Sequence, residues 1–333
     1  MSGNRDRVSV QPERSRGPRA DRSELRPSTP LGMSGSLELP TAPGSYRWYY
    51  LDVSSGEYSA VAIFMLGSLF SPRYGEQSLP ARHAAVNFAL YRQGRRLSWV
   101  LSEYSDASLS EDGRTLRIGR SSLTRGDDGL VVARVDDRSP WWRRPVQAEL
   151  RLQAPSLACA PVRLVEGMEH LWFPFAVRSR GDVFALSPTL SPSGRGRHGL
   201  RFSGSGYHDG NSGTRLLGTD LKRWSWTRTH TPTETRVVYR PEHGALPGWE
   251  VVATDQRSDV TRLAPSNTPL RRTGWGLEIP SGGHQRLLES SPFYARFEAA
   301  EPGHHTLGEA ADFARFRSPS VRWMADFRTR VPA

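Results

Sequence analysis

Two short stretches of the sequence gather titratable and aromatic side chains at a spacing that points them the same way. In His170-Leu171-Trp172-Phe173-Pro174, His170 and Trp172 stand two residues apart, and an extended chain puts both on one face. In Gly204-Ser205-Gly206-Tyr207-His208-Asp209-Gly210-Asn211-Ser212-Gly213, the same rule places Tyr207 and Asp209 together with His208 opposite. Trp224-Ser225-Trp226 repeats the period. Taken singly, these residues read as core aromatics and a turn-capping Asp. Together they describe an apolar pocket with one carboxyl and one imidazole. A carboxyl enclosed by Trp and Tyr loses the hydration of its charged form, so its pKa rises and it holds a proton near neutral pH. The chemistry on offer is Brønsted acid catalysis in a water-poor site.

Other motif matches carry less. Gly194-Arg195-Gly196-Arg197-His198-Gly199 fits G-x-G-x-x-G, but Pro and Ser precede it and the strand-like Leu200-Arg201-Phe202 follows, so it reads as a loop. The run from Asp209 to Asp220 vaguely resembles a calcium loop, yet Thr214 stands where that loop needs glycine. His304-His305 are adjacent and have no carboxylate-rich metal spacing around them, which suggests a surface turn. The lone Cys159 between alanines reads as a small buried hydrophobe. No Gly-x-Ser-x-Gly elbow supports a hydrolase triad. No metal site is expected.

The elements that must position the acid are strands. From Tyr46 onward, short alternating segments such as Arg47 to Asp52, Ser59 to Leu66, Ala84 to Tyr91 and Ala148 to Leu152 are split by turns such as Glu111-Asp112-Gly113. With 31 Gly and 25 Pro in 333 residues, the chain favours turn-rich β structure. We expect an all-β fold of two lipocalin-like barrel or sandwich domains in tandem, with a short C-terminal helix. The helical stretch is read at Leu307 to Phe316, capped by Thr306. Boundaries are set at residues 1–42 for a disordered basic tail, 43–203 for the first domain and 204–330 for the second. The Arg-rich, Pro-rich tail has no core-forming residues and no apolar signal segment. Met33-Ser34-Gly35 repeats the start-like Met1-Ser2-Gly3, so Met33 is an alternative start.

Charge and cysteine use narrow the setting. Lys plus Arg number 45 against 34 Asp plus Glu, a net charge of +11, but Lys222 is the only lysine and the arginines are spread among acids. That pattern reflects composition more than a nucleic-acid surface, and no nucleic-acid partner is expected. The longest apolar run, Ala60 to Phe70, falls short of the roughly 20 residues of a spanning helix. A single cysteine fits a reducing compartment.

At the same residues the sequence resembles the carotenoid 1,2-hydratases of the hydroxyneurosporene synthase type. The blocks are Trp48-Tyr49-Tyr50-Leu51-Asp52, Gly67-Ser68-Leu69-Phe70-Ser71-Pro72-Arg73-Tyr74, Ala85-Val86-Asn87-Phe88-Ala89-Leu90-Tyr91 and His170-Leu171-Trp172. Gly206-Tyr207-His208-Asp209, Ser291-Pro292-Phe293-Tyr294-Ala295-Arg296 and Asp312-Phe313-Ala314-Arg315-Phe316 come after them in order. The resemblance implies lipocalin-like domains, no cofactor, and addition of water across the terminal 1,2 double bond of an acyclic carotene. It implies catalytic roles for His170, Trp172, Tyr207 and Asp209. Hydration needs a proton at C2, which leaves a tertiary cation at C1, and Asp209 is the candidate donor. The rings of Trp172, Tyr207, Trp224 or Trp226 would stabilise the cation. His170 would hold and deprotonate the attacking water or orient Asp209, with His208 and Asn211 beside the substrate. Where the family reads Gly-Tyr-His-Asp-His-Asn-Trp-Gly, this chain has Gly210 and Ser212, and loss of the ring at 212 is expected to widen the pocket or alter water placement. A cyclase or isomerase of the same fold, or a non-catalytic lipid carrier, are the alternatives. Because the substrate is dissolved in membrane, peripheral attachment on the cytoplasmic side is expected through Trp141-Trp142 beside Arg143-Arg144.

Overall fold

The computed structural model describes residues 37–153, 159–187, 198–267, 269–282 and 284–328. The chain is all-β, and its strands form two large antiparallel sheets and one small one. The larger sheet has 12 strands. Its two end strands, Arg95–Tyr104 and Ala107–Leu109, are consecutive in sequence, so the sheet curls back on itself into a nearly closed barrel. The second sheet has 7 strands, running from Ser258–Leu263 at one edge to Gln285–Ser290 at the other.

The part of the barrel wall that faces the second sheet includes Tyr46–Ser54, Tyr58–Leu66, His170–Ser187 and His198–Gly213. Every residue of Tyr46–Ser54 is buried, because one face looks into the barrel and the other looks at the second sheet. Tyr49, Leu51, Phe64, Phe88 and Leu150 belong to the barrel interior. Trp48, Tyr50 and Tyr207 belong to a separate core shared with Trp224, Trp226 and Tyr239 of the second sheet. Burial on both faces accounts for the near-continuous apolar run from Ala60, which a one-sided strand would have broken with polar residues.

Three expectations need correction. Residues 1–36, and with them Met33, lie outside the described residues, but the end of the expected tail is docked on the barrel. Leu37 is buried and donates its amide to Gly113 O at 2.6 Å, and Glu38 pairs with Arg47. The join expected at 203 falls inside the His198–Gly213 strand, which pairs with His170–Ser187 along its length and with Tyr46–Ser54 from Ser205 to Gly213. The chain passes to the second sheet only between Gly213 and Arg223. Its glycines are strand residues held by close packing: a Cβ at Gly210 would stand 2.7 Å from Trp48 O and 3.0 Å from the Phe175 ring.

The third correction concerns the helix. Leu307 to Asp312 is strand, paired on both sides, and the helical turn starts at Phe313 with Asp312 as its cap, accepting from Arg315 N at 3.2 Å. A longer helix, Pro319–Arg328, comes next. Leu307, Ala310 and Ala311 suit either structure by spacing, and pairing with two neighbouring strands overrides the helical preference. Of the expected loop at 194–199, only His198 and Gly199 are described, and they open a strand.

Candidate active site

The register of four strands assembles the site. Asp52 stands opposite Tyr207, Tyr50 opposite Asp209 and Trp48 opposite Asn211, all projecting toward the second sheet. Across the gap, Trp226 pairs in register with Glu309 and Trp224 with Ala311. The result is a small cavity of about 40 Å³ whose wall includes Asp209, Asn211, Trp48, Tyr50, Trp226 and Glu309.

Asp209 is the centre of the site. Its Oδ2 accepts a hydrogen bond from Trp172 Nε1 at 2.8 Å and another from Tyr207 OH at 2.7 Å. Burial pushes its carboxyl up to about 7; the two donors pull the other way, and the charges of Glu309 and Asp52 add to the rise. Because both donors fall on Oδ2, Oδ1 is the oxygen left to carry a proton. The carboxyl is therefore oriented, neutral in mildly acidic solution, and placed on a cavity wall.

His170 is placed differently from the expectation of a water-holding base. It is buried, its Nδ1 meets Tyr46 OH, and its Nε2 meets Asn211 Nδ2 at 2.9 Å. With an amide N–H directed at Nε2, that nitrogen accepts and Nδ1 carries the proton donated to Tyr46. Burial lowers its pKa to about 3, so the ring is neutral. Both nitrogens are engaged, and the ring lies behind the wall rather than on it. Its link to the cavity is through Asn211, which does line it.

Trp172 and Tyr207 likewise act as donors to Asp209, not as rings on the cavity wall. Trp224 and Trp226 do line the cavity. Trp224 belongs to a stack with Trp48 on one side, 6.1 Å between centroids, and Phe313 on the other, 5.0 Å. Trp226 packs against Tyr50 and Tyr207 at 5.4 and 5.3 Å. Asn211 is also on the wall. His208 is not: it faces the barrel interior, where Arg125 Nη2 approaches Nε2 at 2.8 Å and Nδ1 meets Tyr50 O at 2.8 Å. Burial and Arg125 hold it well below the usual imidazole pKa.

The sequence reading missed Glu309, Tyr239, Tyr294 and Arg296, and it assigned no role to Trp48 and Tyr50. The period-two pattern Trp48, Tyr50, Asp52 was the available signal for the last pair. Glu309 lay hidden in a segment read as helix.

A family model described as carotenoid hydratase CrtC matches residues 62–333. The chain belongs to the carotenoid hydratase family. Among its curated relatives, an acyclic carotenoid 1,2-hydratase of Thiocapsa roseopersicina is 31% identical over 314 residues, covering 88% of this chain and 74% of the relative. A protein of the same name from Cereibacter sphaeroides is 29% identical over 286 residues, 81% of this chain and 97% of the relative. In fold, the chain is similar to a solved AttH protein from Nitrosomonas europaea, with a TM-score of 0.55 at 11% identity over 83% of this chain and 97% of that one. Against the carotenoid hydratase pattern, this chain departs at Gly210 and Ser212. Both lie on the strand face away from Asp209 and Asn211, with Gly210 opposite Tyr49 and Ser212 opposite Arg47. The expected widening of the pocket does not occur there, since neither position lines the cavity at Asp209.

Proposed function

We propose that the protein hydrates the terminal C1–C2 double bond of an acyclic carotene, with Asp209 as the acid. The observation that carries this reading is a buried carboxyl, fixed by two donors on one oxygen and protonated near neutral pH, on the wall of an aromatic cavity. An alkene is a weak base, so a positioned acid is what its protonation demands. Protonation at C2 leaves a tertiary cation at C1, which the faces of Trp224, Trp226, Trp48 and Tyr50 stabilise by roughly 1 to 2 kcal/mol for a well-placed ring.

Of the polyene, only a chain end fits the cavity at Asp209. Phe70 and Tyr294 separate it from an apolar cavity of about 260 Å³, which suits the adjoining part of the polyene. That second cavity is lined by Trp141, Trp275 and Trp323, which are 67%, 52% and 63% exposed. Exposed indoles around an apolar mouth suit the surface of a bilayer, from which a carotene would enter end first. No described helix is long and apolar enough to cross a membrane, so this reading makes the attachment peripheral.

Lycopene in detergent, incubated with the purified protein, is expected to gain the mass of one water. Asp209→Asn keeps the size of the side chain but cannot deliver the proton, and it is expected to lower the rate by about 10²- to 10⁴-fold. A near wild-type rate in that variant overturns Asp209 as the acid.

A further inference from the structure

Acid catalysis accounts for the proton but leaves the water without a base, because both nitrogens of His170 are occupied. The second carboxylate on the cavity wall is Glu309. It pairs with Arg296, whose fully buried side chain also meets Glu289 at 3.1 Å, and the two guanidinium contacts to Glu309, Nε and Nη2 at 2.9 Å, both fall on Oε1. Oε2 stands outside that fork.

The polar atoms around it are unusual for a protein interior. Among the described residues, the hydroxyl of Tyr294 has no hydrogen-bond partner, and the hydroxyls of Tyr50 and Tyr239 and Nε1 of Trp226 make no well-aligned hydrogen bond, interacting only loosely with Asp52, Asn211 and Tyr207, although all four residues are at least nine-tenths buried. All four line the same cavity as Asp209 and Glu309. Buried polar groups are normally satisfied, and a polar site of this size, with two to four partners for each molecule, suits bound water.

We propose that this cavity holds the nucleophilic water and that Glu309 is the base that takes its proton. The inference rests on the hydratase reading above and assigns the half of the reaction that reading leaves open. Asp209 gives its proton to C2, the π electrons form the C2–H bond, and C1 becomes a cation. A lone pair of the water forms the C1–O bond, its O–H bond breaks, and the proton passes to Glu309. Return of that proton to Asp209 through a further water or a tyrosine hydroxyl restores both carboxyls, so that the net change is H on C2 and OH on C1. Environment separates the two roles: Asp209 is held by neutral donors, Glu309 by a cation.

The test is hydration by Glu309→Gln in D₂O, with deuterium followed in both the product and the recovered carotene. Loss of the base blocks capture but not protonation, so hydration is expected to fall by about 10²-fold or more. The trapped cation then returns to alkene, and the ratio of deuterium in recovered carotene to hydrated product rises well above that of the wild type. Asp209→Asn removes both signals, and a wild-type protein that neither hydrates nor exchanges would sink the parent reading instead. Glu309→Asp, which keeps the charge facing Arg296, is expected to shift the ratio in the same direction by less, and it serves if the Gln variant fails to fold. A wild-type hydration rate in the Gln variant, or equal losses of hydration and exchange in the soluble variants, overturns Glu309 as the base.

Discussion

Asp209 Oδ2 holds both hydrogen bonds, from an indole and a phenol, and this asymmetry gives the acid a direction as well as a proton. The pH dependence comes from the same atoms. If Asp209 is the acid, it works only while protonated, so the hydration rate is expected to be flat at mildly acidic pH and to fall with the loss of one proton as pH rises through about 7. Donors to Oδ2 favour the charged form, so removing one raises the pKa further. Trp172→Phe should therefore move the alkaline limb to higher pH while lowering the maximum rate. A pH–rate profile of both proteins checks this, and an unmoved limb would assign it to another group. At this scale the sequence was informative about parity: Tyr207 and Asp209 share a face, His208 opposes them, and strand periodicity alone says so. It was silent on His170, whose two partners come from other strands, and on which aromatics reach the cavity.

Between elements, the second sheet is fixed to the barrel by an ion pair. Arg228, in the Arg223–His230 strand, meets Asp52 in Tyr46–Ser54, and both side chains are fully buried. Asp52's carboxyl is pushed up by burial and pulled down by Arg228, so the pair is mutually dependent. Replacing Arg228 with Ala leaves a buried carboxyl without its partner and is expected to cost about 3 to 5 kcal/mol, read from urea unfolding. The double change Arg228→Met with Asp52→Leu is expected to cost much less, since it removes both charges together. Equal losses would show that the pair contributes only through packing. The strands themselves were legible wherever one face is polar, as at Ala148 to Leu152. The segment from Leu307 was misread because Ala and Leu at helical spacing also fit a strand. Gly308 was the contrary signal: a Cβ there would stand 2.3 Å from the Phe297 ring.

Across the whole molecule, the exposed tryptophans come from distant parts of the chain. Trp141, Trp275 and Trp323 converge on the lining of the larger cavity, whereas Trp142, 79% exposed, is not part of that lining. Sequence proximity had grouped Trp141 with Trp142, Arg143 and Arg144; the fold regroups Trp141 with residues far away. If these rings meet a bilayer, changing Trp141, Trp275 and Trp323 together to Ser should lower binding to anionic vesicles by about tenfold or more, a loss of at least about 1.4 kcal/mol. Hydration of carotene supplied in those vesicles should fall with it, while hydration of a short soluble analogue stays near the wild-type rate. Unchanged flotation would separate the cavity from membrane contact.

The His198–Gly213 strand separates the barrel interior from the cavity at Asp209, alternate residues serving each side. Substitution at one position therefore tests one compartment at a time, and this chain has changed 210 and 212 without touching the wall that carries Asp209. Inserting or deleting a single residue is a different event: it would exchange the two sets, turning Asp209 into the barrel and His208 into the cavity. Such a strand can drift in composition but not in length, and the spacing between its residues is under tighter constraint than most of their identities.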